Sequence, residues 1–505
     1  MRIRCCVTWA SLSLLLHAEV RWGGGGTPNS VSAAQGLPSS LDNATLVWEM
    51  RIGTHQYAIP TIDRGLVFLG LNDEGVMREG YQPNGGGAVR CAELATGKLL
   101  WELPVPRYTQ GTQAPYYFDH WRCGICSGPV VVGDRVYVVG NRGDVLCLAR
   151  HGQANGNTGP FQDEVTYMEL AAAYARPLPT DGDIIWRFDM LKACAVIPHD
   201  TCGSTILYVN GLLYVCTSNG VNREHKVALS PDAPSLIVLD AETGRLVARD
   251  REDIGKNLFH GNWSSPSYGE VNGKGLIFFG GGDGFVYAFH ALEGGGGEQI
   301  ASPEPQTLKR VWRTDANPTH FRIKADGDGI PYAIPYTLWS NKQAFGPSEP
   351  IGTPVFHDGK VYVAIGQSPV HGLGDGCVSC FDAATGDVIW RSEKINRSLA
   401  TAAIADGILY LPDEAATLHA FDAATGETLW THDLKTTVYY ANALVADGKV
   451  YIGTEKCDFW ILKAGREKEV LSYARLPSPP ITLAAADGYL LLPLQNRLQV
   501  YRPNK

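Results

Sequence analysis

Dense basic runs are missing from this sequence. Lys and Arg total 43 against 52 Asp and Glu, a net charge of −9. No stretch concentrates the cations, so an extended nucleic-acid surface is not expected. Beyond the first residues no apolar run approaches the ~20 residues of a membrane-spanning helix. No cysteine stands just after the N-terminal apolar run, so a lipid anchor is not supported. Gly280-Gly281-Gly282-Asp283-Gly284 has the glycine density of a phosphate cradle but neither a Lys-Ser/Thr pair nor a helix after it, and reads as a hairpin turn. Cys123-Gly124-Ile125-Cys126 lacks the trailing His of a haem-attachment motif, which leaves a short-range disulfide, two thiols, or metal or redox spacing.

What is abundant is glycine (57) and proline (30), the composition of a chain made of tight turns between strands. Arg2 and Arg4 precede an apolar stretch from Cys5 to Leu16, with Ala18 as a cleavage residue. Residues 1–18 therefore read as a signal peptide, 19–43 as a disordered leader, and the protein as periplasmic or secreted. Export permits disulfides, but the sequence cannot pair the ten cysteines that follow the signal.

Two copies of one unit stand side by side. Asp358-Gly359 precedes Lys360-Val361-Tyr362-Val363, and Phe381-Asp382-Ala383-Ala384-Thr385-Gly386 leads to Trp390. Asp406-Gly407 and Phe421-Asp422-Ala423-Ala424-Thr425-Gly426 with Trp430 repeat it, with Gly386 and Gly426 40 residues apart. That period, with alternating strands and glycine turns, marks a propeller blade. The fold class is all-β: a single β-propeller of eight four-stranded, W-shaped blades over 44–501, with insertions at about 151–182 and 314–350. The last blade supplies three strands, and the segment around Trp48 completes it, closing the ring and removing a free sheet edge. Trp48, Trp101, Trp186, Trp312, Trp390 and Trp430 fall on outer strands, where an indole burying ~150–250 Å² docks adjacent blades.

The Ala-Thr-Gly-x-x-x-Trp element, clean at 95–101, 384–390 and 424–430, resembles the tryptophan-docking motif of quinoprotein-like eight-bladed propellers. Blade three departs, with Ala248 where the Trp would stand. The resemblance implies one of two roles: a dehydrogenase holding pyrroloquinoline quinone and calcium over the central channel, or an assembly scaffold with no cofactor. The vicinal disulfide of the large alcohol dehydrogenases has no match outside Cys5-Cys6.

In a propeller, loops before inner strands and loops between second and third strands emerge on one face. Here they carry His55, Asp119, His120, Trp121, Arg122, Cys123, Cys126, His199, Asp200, Cys202, His260, Asn262 and Trp263, with Asn219, Arg223, Glu224, His225, Asp283, His371 and Asp375 from the second kind. Imidazole and thiolate suit a transition metal, so His120, His199, His260, Cys123, Cys126 and Cys202 form one candidate set. A planar anionic quinone would use Trp121, Arg122, Arg223 and Trp263, with Asp119, Asp200 or Asp283 as metal ligand or general base. The alternative is that these side chains cap loop backbones and hold channel water. Three functions follow: a non-catalytic scaffold or binding module with a protein partner, a quinone-dependent oxidoreductase, or a propeller with a His/Cys metal site at the rim.

Overall fold

The computed structural model describes residues 29–108, 121–294, 304–325, 331–333, 346–368, 373–439 and 441–504; the signal segment 1–18 lies outside them. The chain forms eight four-stranded antiparallel blades arranged as a ring. The third blade, for example, runs Leu207–Val209, Leu212–Cys216, Leu236–Asp240 and Leu246–Arg249 from the channel outward. Ring closure is by Ala44–Arg51, which pairs antiparallel with Arg497–Pro503 and places Trp48 opposite Val500.

The turns follow from the residues that build them. Asp358-Gly359 takes φ of 49° and 72°, the left-handed pair of a tight hairpin that glycine tolerates without cost. At the outer turn the Asp382 carboxylate accepts from the Ala384 and Thr385 amides at 2.9 and 3.0 Å, and Asp422 does the same one blade on. These short loops leave the strands no choice but to return antiparallel.

Every outer strand carries one extra residue against its neighbour, at the same point. The register skips Val47, Leu100, Ile185, Val247, Val311, Ile389, Leu429 and Leu471. Such a bulge re-aims the next side chain. In six blades that next residue is the Trp, and it lies on the following blade: Trp312 Nε1 donates to Ala383 O (2.9 Å), Trp390 to Ala423 O (3.1 Å) and Trp48 to Leu94 O (2.7 Å). The indole covers the glycine of the Thr-Gly pair so closely that a Cβ on Gly386 would sit 2.6 Å from Trp312 Cδ2.

The core is accordingly not central. Eight buried apolar clusters occupy the eight junctions between neighbouring blades. At the junction after blade three, where Ala248 replaces the indole, buried Leu308 fills the gap, delivered by Gln306–Thr307 running parallel to Ala248 and Arg249.

One expectation is corrected. Residues 29–43 are not a disordered leader: Val31–Ser32 pairs parallel with the innermost strand of blade seven, and Leu37 is buried between blades seven and eight. Asn29 completes the join, its side chain bonding both the N–H and the carbonyl of Ile404. The inner strand of blade one is Thr61–Asp63. The insertion at 151–182 holds one α-helical turn, Glu164–Tyr167, and two 3-10 turns, Gly152–Asn155 and Ala172–Tyr174, while the described part of 314–350 adds an antiparallel strand pair, Ile323–Ala325 with Pro331–Ala333. No helix among the described residues is long and apolar enough to cross a membrane.

The docking contact separates two otherwise similar glycines. Gly359→Ala, at φ 72° with nothing near its Cβ position, should cost about 1–2 kcal/mol of backbone preference. Gly386→Ala, at φ 76° under Trp312, should add about 1–3 kcal/mol of overpacking, seen as a lower urea midpoint than that of Gly359→Ala.

Candidate functional site

A hydroxyl or amide side chain stands two residues before the inner strand of six consecutive blades: Thr205, Ser265, Thr353, Thr401, Asn442 and Thr482. These link blade to blade. The amide of Thr205 donates to Ser265 Oγ (2.9 Å), that of Thr353 to Thr401 Oγ1 (2.9 Å), that of Thr401 to Asn442 Oδ1 (2.8 Å), and that of Asn442 to Thr482 Oγ1 (2.9 Å). The result is a polar belt at the channel mouth. All six residues line one cavity of about 730 Å³.

On one side of the cavity three loops are knitted together. The segment 219–221 lies between 197–199 and 260–262, bonded through Gly220 N to Ile197 O (3.1 Å), Val221 N to His260 O (2.9 Å) and His199 N to Ser218 O (3.1 Å). Glycine is required at the centre, because a Cβ on Gly220 would fall 2.4 Å from His199 Cβ. The chain then turns back in a small hairpin, closed by Asn222 N to Val227 O (2.7 Å), with His225 at its tip in left-handed backbone, φ 55°.

This frame brings His199, His225 and His260 together, with one ligand nitrogen from each within 4.8 Å of the others. Their ring centroids are 4.1 to 4.9 Å apart. His199 and His260 are buried and His225 is half-buried. His199 Nδ1 is 2.7 Å from Val221 O and donates to it, while His199 Nε2 lies 2.8 Å from His260 Nε2. Trp263 walls the group, its ring 4.7 Å from that of His260 and edge-on, with Nε1 donating to Thr201 O at 3.2 Å. The Asp200 carboxylate is 3.6 Å from His199 Nε2. Burial, with His199 as second cause, pulls the His225 pKa below its ordinary value, while Asp200 and Glu224 oppose that shift.

The other expected residues distribute as follows. Trp121, Cys123, Cys126, Asp200, Arg223 and Trp263 line the cavity. Cys123 and Cys126 are separate thiols and stand outside the converging ligand group. Cys202 is a buried thiol whose pKa is driven well above the ordinary value by burial, which disfavours the ligating thiolate. Asp283 is corrected as a catalytic candidate: it is buried in its hairpin turn, accepting from Tyr287 Oη at 2.6 Å and the Phe285 amide at 3.2 Å, away from the cavity wall. Arg122 packs over Gly85. Asp119, His120 and His371 lie outside the described residues.

Residues 374–477 match the family described as outer membrane protein assembly factor BamB. Among solved structures, BamB from Moraxella catarrhalis superposes with a TM-score of 0.54 at 14% identity, covering 91% of this chain and 99% of that one. A europium-containing methanol dehydrogenase superposes with a TM-score of 0.59 at 12% identity, covering 95% and 98%. The chain is an eight-bladed propeller, and the likeness to that family lies in residues 374–477. No curated protein matches it by sequence. At these identities the likeness to the two solved structures is one of fold.

Among the described residues, the cavity wall does not fit a calcium-held quinone. Calcium takes 6–8 oxygen ligands, carboxylates foremost. The described wall offers one carboxylate, Asp200, beside imidazole nitrogens. Nitrogen donors in that number belong to a softer ion.

A second polar group sits in loops of the same two kinds around blades five and six. Glu349 and Glu414 are buried beside buried Arg397, and none of the four carboxylate oxygens has a hydrogen-bond partner. Burial raises both carboxyls from the ordinary 4.5 to about 8, against the opposing pull of Arg397. The folded state therefore binds more protons than the unfolded chain between those values, so this stabilising contribution is complete below about pH 4.5 and is lost as pH rises through about 8. Glu414→Gln cannot ionise. Its melting temperature should match the wild type near the acid end of that window and exceed it at the alkaline end, as read by calorimetry across pH.

Proposed function

We propose that this protein is an exported binding module, periplasmic or secreted, that seats a small-molecule ligand in the cavity at the channel mouth. The observation that carries this reading is the cavity itself. Its volume of about 730 Å³ falls within the ~300–1,000 Å³ of ligand pockets. Its walls combine aromatic faces (Tyr57, Trp121, Trp263) with the hydroxyls of the belt and the charged ends of Asp200 and Arg223. Aromatic surface supplies burial while few, fixed polar groups orient the guest. Export is supported by the basic and apolar pattern of residues 2–16 and by the outer-membrane setting named for the family that 374–477 match. A protein partner is a second reading. It is supported by the exposed Val388, Ile389, Val470 and Leu471 on the outer strands of blades five and seven.

Gly203 lines the cavity, and the nearest atoms to its Cβ position are 3.9 Å away, so a larger side chain there enters the space without disturbing the frame. In ligand-observed NMR with a fragment mixture, wild-type protein should bind fragments that Gly203→Trp binds at least about tenfold more weakly, at unchanged melting temperature. Fragment binding indifferent to that indole overturns the cavity as the ligand site.

A further inference from the structure

We propose that His199, His225 and His260 bind a divalent transition-metal ion of the zinc class, with one coordination position left open toward the cavity. This deepens the ligand-site reading above and rests on it only for what would fill the open position. Imidazole suits zinc, copper, nickel and iron, whereas calcium and magnesium select oxygen donors. Three protein ligands with a vacant fourth position are the arrangement of zinc centres that act on a bound molecule rather than staple a fold.

The protonation pattern around His199 supports this assignment. Its Nδ1 donates to the Val221 carbonyl at 2.7 Å, so in the neutral ring Nε2 carries the lone pair. A carbonyl on the distal nitrogen is what fixes the tautomer and aim of metal-ligating histidines. That lone pair faces His260 Nε2 at 2.8 Å, inside a buried pocket closed by Trp263. A proton or a cation must sit between two such nitrogens. With metal–nitrogen bonds of 2.0–2.1 Å, tetrahedral ligands stand about 3.4 Å apart. Capture thus parts His199 and His260 by about 0.6 Å, and closes any wider separation, at most 4.8 Å, by no more than about 1.4 Å.

The frame is built for such an adjustment. The backbones of His199 and His260 are clamped on either side of 219–221 and hold still, while His225 rides the tip of the 221–228 hairpin, half-buried, and can close on the ion. His199 and His225 face the cavity, so the remaining coordination position opens there, next to the Asp200 carboxylate. A hydrogen-bond acceptor at that distance suits a metal-bound water or the donor group of an incoming ligand.

The test uses the full chain, stripped with chelator and titrated with Co²⁺, reading the visible bands of tetrahedral cobalt and the metal content after dialysis. One ion per chain is expected, displaceable by Zn²⁺. His225→Ala and His199→Gln should each weaken Co²⁺ binding by at least about 100-fold, whereas His151→Ala, on the exposed surface of the blade-two insertion, should leave it unchanged. His225→Ala alters a hairpin tip and tests the site even where the buried variant fails to fold. No cobalt bands, or binding untouched by His225→Ala, overturns the metal centre. Fragment binding without cobalt binding overturns the metal alone. Cobalt binding without fragment binding upholds the metal and overturns the ligand reading.

Discussion

Each blade of this ring is stable only against its neighbours, and two contacts repeated around the circle enforce that dependence. At the rim, an indole from one blade lies on the Thr-Gly turn of the next and donates to its backbone, as Trp390 does over Gly426. At the channel mouth, the amide of one loop donates to the hydroxyl or amide side chain of the next, from Thr353 through Thr401 and Asn442 to Thr482. Neither contact exists within a blade, so a single blade could bury little of its apolar surface alone. The eight apolar clusters, each astride a junction, restate this in terms of packing.

The same closure makes the candidate site. His199 and His260 are 61 residues apart, yet the loops that carry them leave adjacent blades on the same face, and 219–221 stitches them together. The inner belt contributes the cavity floor at no additional structural cost, since its hydroxyls are already placed to join blades. The quinoprotein-like fold therefore provides a mouth lined from many loops, and the side chains decide its chemistry. Among the described residues they are imidazoles and indoles, with one carboxylate, Asp200.

The repeat was plain in the sequence because its turns are chemically specific. Asp-Gly demands left-handed backbone, Asp-Ala-x-Thr-Gly builds a turn around one carboxylate, and both recur with the strands between them. The outer-strand bulge was not legible. Its extra residue, such as Ile389 or Val311, looks like any other strand residue, and only the observed register shows that it rotates the following Trp onto the next blade. The belt was legible but unread: six Thr, Ser or Asn residues stand at one spacing before inner strands. The leader misled because Gly, Ser and Ala describe a chain with little of its own to bury, whereas Asn29 and Leu37 find partners supplied by other blades.

By itself the sequence determined the eight-bladed ring, its closure by the segment around Trp48, and the face on which loop histidines gather, because these depend on local turn chemistry and a period. Only the tertiary structure decided that His225 joins His199 and His260, that Asp283 stays in its own turn, and that Arg122 packs over Gly85. Those outcomes rest on loop geometry at the scale of a hydrogen bond. A bulge, a glycine at 220 or a left-handed residue at a hairpin tip redirects a side chain by several ångströms, and no periodicity records it.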